Sequence, residues 1–174
     1  MRIHPAPISR QGLVRVWPLA GAAHLINDNG VCMPELGLAT IDTSVQQTNR
    51  WLGAIMADME THDKQFAFQA LRSVLTTLRD RLPMDLAANL GAQLPLLVRG
   101  VYYDGYVPAE TPTKYRRATD WNAAVASAGD NLEGEDVERA SRAVFGLLKW
   151  ELDDGIVAKV AEALPEDVRA VMAQ

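Results

Sequence analysis

Cysteine is almost missing from this chain: Cys32 stands alone among 174 residues. A disulfide framework within the chain is therefore excluded, and a lone thiol fits a reducing compartment such as the cytoplasm. Histidine is nearly as scarce. There are three in all, and from Met33 onward His62 is the only one and cysteine is gone. That removes a zinc site of the usual Cys/His ligand count and any cysteine nucleophile from this stretch. A Ser–His–acid triad would have to use His62, which falls in the turn Met-Glu-Thr-His-Asp at 59–63 and reads as a solvated loop residue beside the N-cap candidate Asp63. A glycine-rich phosphate loop is also lacking, because Gly91-Ala92-Gln93 runs straight into Leu94–Pro95 without a lysine. No motif calls for a cofactor, and none is expected.

Long apolar runs are absent too. No stretch approaches the roughly 20 residues that span a bilayer. The mildly apolar segment from Leu13 to Ile26 is broken by Arg15, Pro18 and His24, so it does not read as a signal peptide. Basic residues are in deficit: 17 Lys and Arg against 22 Asp and Glu give a formal charge of −5. Duplex binding needs clustered cations that displace counterions, and here the cations alternate with acids, so neither a nucleic acid nor a membrane is an expected partner. Two acidic loops, Asp58/Glu60/Asp63 and Asp130/Glu133/Glu135/Asp136, lack the spacing of a calcium loop. They read as carboxylates at helix starts, where the macrodipole favours them, and no metal is expected.

What is present is a balance typical of a folded protein, 48% hydrophobic and 22% charged residues. The first 32 residues differ from the rest. They show no helical periodicity, carry Pro5, Pro7 and Pro18, and hold three of the 17 basic residues but one of the 22 acids. The break falls at a second methionine, Met33, so residues 1–32 are expected to be a disordered arm or an over-extended reading frame. Mass spectrometry of natively expressed protein would decide between the two.

From there on the chain repeats itself at an offset of 70. Trp51 aligns with Trp121, Ala70 with Ala140, Arg72 with Arg142, Val74 with Val144, Leu78 with Leu148 and Leu82 with Leu152. The same register, without a gap, aligns Leu94–Pro95 with Leu164–Pro165, Val98–Arg99 with Val168–Arg169 and Val101 with Val171. Each copy reads as four helices. In the first, Val45, Leu52, Ile55, Met56 and Met59 form one stripe, with Thr43 or Asp42 as N-cap. The spacing predicts a second helix over Asp63–Arg81, with Ala67, Ala70, Leu71, Val74, Leu75, Leu78 and Leu82 inside and Gln65, Gln69, Arg72, Thr76 and Arg79 on the wet face. Pro83 ends it, a short helix starts near Asp85, and Pro95 opens a fourth whose buried seam is Leu94, Leu97, Val98 and Val101.

The second copy predicts helices at about Thr119–Ala128, Glu135–Leu152, Gly155–Leu164 and Pro165–Met172. Between the copies, Asp104–Arg117 carries Gly105, Pro108 and Pro112 and reads as an extended connector. The expected architecture is all-α: two tandem four-helix repeats at residues 33–107 and 118–174, joined by a connector at 108–117 and packed as a helical bundle.

Several separated motifs occur here in order: Thr-Asn-Arg-Trp-Leu at 48–52, Ala-Leu-Arg-Ser-Val-Leu-Thr-Thr-Leu-Arg-Asp-Arg-Leu-Pro at 70–83, and Leu-Gly-Ala-Gln-Leu-Pro-Leu-Leu-Val-Arg-Gly-Val-Tyr-Tyr-Asp-Gly-Tyr at 90–106. Together with Arg-Ala-Val-Phe at 142–145 and Lys-Val-Ala-Glu-Ala-Leu-Pro-Glu-Asp-Val-Arg at 159–169, they resemble the bacterial family catalogued as domain of unknown function 2267, over about Pro34–Ala173. The resemblance implies an all-helical fold and a bacterial origin, and no reaction. The chain departs from that family's pattern at Asn89, where a histidine is frequent, and at Tyr106, where a tryptophan is frequent.

The duplication sorts residues by role. Those shared at the offset serve the helical unit, so Arg72/Arg142 and Arg99/Arg169 read as salt-bridge or helix-end partners. Polar and aromatic residues present in one copy alone are free to serve function: Asp80, Arg81, Gln93, and the cluster Tyr102, Tyr103, Asp104 and Tyr106. The tyrosines offer apolar area with a polar tip, which suits either an interface or a packed junction between the halves. Gln93 can equally cap a helix end. The expected function is a non-enzymatic binding or assembly module that engages a protein partner or a second copy of itself through residues 93–106. The alternative is an enzyme or small-anion binder in which Arg79, Arg81 and Arg99 meet a phosphate or carboxylate.

Overall fold

The computed structural model describes residues 38–173 and two strand segments, His24–Ile26 and Cys32–Pro34. The expectation of an arm or extension at 1–32 otherwise lies outside the described residues. The chain divides into two compact units, residues 1–45 and 46–174. In the first, β1 (His24–Ile26) pairs antiparallel with β2 (Cys32–Pro34), placing Leu25 opposite Met33, and helix α1 (Ala39–Asp58) begins. Thr43 and Asp42 lie inside α1 rather than at its cap, because the Leu38 carbonyl already accepts the N–H groups of Ile41 and Asp42 at 2.9 and 3.1 Å. That starts the helical ladder a turn earlier than the sequence suggests.

The second unit holds the remainder of α1 and all that follows. α2 (Lys64–Arg81) is capped by Asp63, whose carboxylate accepts from the N–H groups of Gln65 and Phe66 at 2.8 and 3.1 Å, satisfying donors that a helix start leaves open. Pro83 and Pro95 precede α3 (Met84–Gln93) and α4 (Leu96–Tyr103), each with the φ near −55° that leads into a helix. A 3₁₀ turn at Pro108–Glu110 interrupts the connector, which Thr113 ties to α2 by donating its N–H and Oγ1 to the Asp80 carbonyl at 2.7 and 3.1 Å. Then come α5 (Ala118–Ala128), α6 (Glu135–Glu151), α7 (Asp154–Ala163) and α8 (Glu166–Ala173). α3 and α7, and likewise α4 and α8, have limits 70 residues apart, and α1 and α5 end at matching positions. Among the described residues every element after β2 is helical.

These helices pack as a bundle around one continuous core. α2 lies against α5, α6 and α4, and α3 crosses to α7. Trp51 and Trp121, Val74 and Val144, Leu78 and Leu148, Leu94 and Leu164, and Val98 and Val168 are all buried. The apolar stripe of α2 is buried as the periodicity predicts, but two residues depart from expectation. Leu97 is 40% exposed, because α4 rests on α2 and α3, which cover the side carrying Val98 and Tyr102. Arg79, expected on the wet face, is 3% exposed.

Candidate functional site

Arg79 is buried because the chain leaving α4 crosses over it. Its Nη1 donates to the carbonyl of Tyr102 and, at 2.9 Å, to that of Asp104, while Nε donates to Asp80 Oδ1 at 2.7 Å. The guanidinium carbon lies 4.7 Å from the centre of the Tyr106 ring. A cation thus satisfies carbonyls at the C-terminal end of α4, where the helix leaves acceptors unpaired and its dipole favours positive charge. Arg79 is thus held by two main-chain carbonyls and by the Asp80 carboxylate.

The tyrosines assemble on this clamp. Tyr102 is buried and its hydroxyl donates to the Ala87 carbonyl at 2.9 Å, joining α4 to α3. Tyr103 stands edge-on to Tyr102 at 5.0 Å and is 37% exposed. Its ring lies over Gly91, where an added Cβ would come within 2.5 Å of the hydroxyl. Tyr106 tilts against Tyr103 at 6.0 Å, and its hydroxyl reaches Thr111 Oγ1 at 3.4 Å. Asp104 is exposed, with its carboxylate 3.6 Å from Arg72, which also donates to the Ala128 carbonyl at 3.5 Å. Of the residues singled out from the sequence, the structure therefore brings together Arg79, Tyr102, Tyr103, Asp104 and Tyr106.

The others lie elsewhere. Arg81 faces the connector, its guanidinium carbon 5.5 Å from the centre of the Tyr115 ring. Gln93 accepts the N–H of Asp153 on its Oε1 at 3.0 Å, holding the start of α7 from the end of α3. Arg99 closes the end of α3, donating to the carbonyls of Ala92 and Leu94 at 2.7 and 3.0 Å. Arg169 repeats this at Ala161, Glu162 and Leu164. Gln93 and Arg99 share a shallow concavity of about 330 Å³ with Arg50, Trp51 and Glu151, in which Arg50 and Glu151 pair at 2.6 Å.

Burial pushes the phenols of Tyr102 and Tyr115 well above the ordinary tyrosine value of 10. Above that value an unfolded chain ionises these groups while the folded one keeps them neutral, so stability is full below it and is lost as pH rises beyond it. Urea midpoints are expected to fall between about pH 9 and pH 11, and to fall less steeply in a Tyr102→Phe variant. Parallel slopes for the two proteins would refute this coupling.

Sequence reasoning missed Tyr115, which falls in the stretch read as an extended connector, and it misassigned Arg142. The expected salt-bridge or helix-end role is not met: Arg142 is exposed and has no hydrogen-bond or ion-pair partner among the described residues. It lines a groove of about 740 Å³ along α6 with Asp58, Glu60, Arg139, Gly146 and Lys149.

Residues 48–171 match the family described as Uncharacterized conserved protein (DUF2267). The chain belongs to that family. The match runs from α1 into α8 and so takes in the tyrosine cluster and the α6 groove alike. No curated protein matches the chain. Among the described residues no helix is long and apolar enough to cross a membrane.

Proposed function

We propose that this chain is a non-enzymatic binding module, built from two copies of one helical unit and acting in the bacterial cytoplasm, whose contact surface for a protein partner is the outer face of α4. One comparison carries the reading. Leu96, Leu97 and Tyr103 are 47%, 40% and 37% exposed. At the positions matched to the two leucines, α8 has Glu166 and Asp167. Acids in a helix's first turn are favoured by the macrodipole, by roughly 0.3–1 kcal/mol each. The first copy forgoes that stabilisation and presents apolar side chains to water instead, the pattern of a surface kept for a partner. The small-anion alternative is less well supported, because the guanidinium groups of Arg79 and Arg99 are already bonded to main-chain carbonyls.

The test is to give α4 the residues of α8. A Leu96→Glu, Leu97→Asp double variant is expected to be as stable as the parent or more stable by up to about 1 kcal/mol. It is also expected to lose association, whether with a partner in pull-downs or with itself in sedimentation. A parent that is strictly monomeric, with a pull-down profile that the double variant leaves unaltered, would defeat the proposal.

A further inference from the structure

Trp150 is 87% exposed, the most exposed of the large apolar side chains among the described residues. Tryptophan is highly buried on average, so a ring left almost wholly in water serves no packing role within the chain. It belongs to a definite face of α6. At about 100° per residue, Glu135, Arg139, Arg142, Lys149 and Trp150 all fall within about 60° of Gly146 around the helix. The groove of about 740 Å³ runs along this face, bordered by Asp58, Glu60 and Val171 from neighbouring elements.

Three properties of the face fit a second copy of the same chain. Arg142, one turn before Gly146, is exposed and has no hydrogen-bond or ion-pair partner among the described residues. Gly146 keeps the middle low, since a Cβ built there would meet only Asp58 Oδ2, at 3.9 Å. The charge is balanced as well. Asp58, Glu60 and Glu135 set three acids against the three bases Arg139, Arg142 and Lys149, whereas the whole chain carries −5.

We propose that this face binds a second copy of the chain, the two α6 helices crossing antiparallel about a twofold axis at Gly146. Trp150 and Arg142 stand four residues to either side of that glycine, about 6 Å along the helix axis. An antiparallel crossing therefore brings Trp150 of each protomer level with Arg142 of the other. The twofold axis makes the contact twice, giving two cation–π pairs from one pair of residues. A parallel pairing would set Arg142 against Arg142 and is disfavoured by like charge. Gly146 lets the two backbones approach closely where they cross. Balanced charge lets the faces meet without the repulsion that the chain's overall charge would give. Tryptophan and arginine are also the side chains that most often dominate the binding energy of an interface. This contact goes beyond the α4 surface and shares no residue with it.

The test is sedimentation equilibrium of the full chain over about 1–500 µM. A monomer–dimer equilibrium is expected within that range. Trp150→Ala and Arg142→Ala should each raise its Kd by about tenfold or more, because either change removes both cation–π pairs. Gly146→Leu should weaken the dimer as much while raising the melting temperature by about 2–5 °C, since leucine is the better helix former. Unfolding then cannot account for the loss. The Leu96→Glu, Leu97→Asp chain should dimerise with the parent's Kd, so what that variant loses in a pull-down reports on α4 alone. A chain that stays monomeric throughout, or a dimer that Trp150→Ala or Gly146→Leu leaves intact, overturns the proposal. So does a dimer lost only in the α4 double variant. A monomeric chain from which Trp150→Ala removes a captured protein also overturns it, because the occupant would then be a partner of another kind.

Discussion

Replacing Arg79 with alanine is expected to destabilise the protein by about 3 kcal/mol, lowering the melting temperature by roughly 10 °C. The side chain holds the carbonyls of Tyr102 and Asp104, and Tyr102 lies in the fully buried core. Truncation leaves those acceptors without their donor and opens space under Tyr106. Each buried acceptor left unpaired costs about 1–3 kcal/mol. The Asp80 carboxylate, 34% exposed, rehydrates and adds little. Arg79→Met, which keeps the apolar stem, should recover only the packing part. Arg79→Lys should recover less than half, because one ammonium cannot fork to three acceptors in two directions. Urea unfolding measures all three variants. A loss below about 1 kcal/mol for alanine would mean that the segment after α4 is not anchored through this residue.

The second large effect is expected at the matched tryptophans. Trp121 is fully buried, stacks on Phe145 with ring centres 5.4 Å apart, and donates its indole N–H to Ser141 Oγ at 3.0 Å. Trp121→Ala should cost about 3–5 kcal/mol. The informative comparison is with phenylalanine at each of the two positions. Trp51 is equally buried, but among the described residues its indole nitrogen has no hydrogen-bond partner, because Leu71 stands at the position matched to Ser141. Trp121→Phe therefore removes a made hydrogen bond and strands a buried serine, whereas Trp51→Phe removes a buried donor that has no acceptor. The first should be the more destabilising by about 1 kcal/mol or more. Equal costs, read from chemical denaturation, would show that the two indoles sit in interchangeable surroundings.

Helix identity was legible in the chain because it rests on local chemistry. Asp63 sits one residue before α2 and caps it. Prolines stand just ahead of α3 and α4. Arg99 and Arg169, paired by the offset, both close helix ends. Each of these depends on groups within a few residues to eight residues along the chain, a distance over which sequence and space coincide. The candidate site was legible only in part. Tyr102 and Tyr103 attract attention by type, yet one is a buried strut and the other a surface residue, and the difference lies in which side of α4 faces α2 and α3. Periodicity put Arg79 on a polar face correctly for an isolated helix. Its burial comes from a segment 23 to 25 residues later in the chain.

By itself, the sequence determined the helical content, the capped starts and proline-marked ends, and the residues that fill the core. These follow from apolar spacing and from backbone groups that near neighbours must satisfy. The tertiary structure alone decided which polar side chains remain available. Arg72 and Arg142 are the same residue at matched positions, one held by Asp104 and the other exposed without a partner among the described residues. Leu97 falls on an apolar stripe, yet it is 40% exposed, because α2 and α3 cover the side of α4 that carries Val98 and Tyr102. Availability is set by what crosses a surface in space, and in this chain the crossing segments come from other helices and from the connector, beyond the reach of any local pattern.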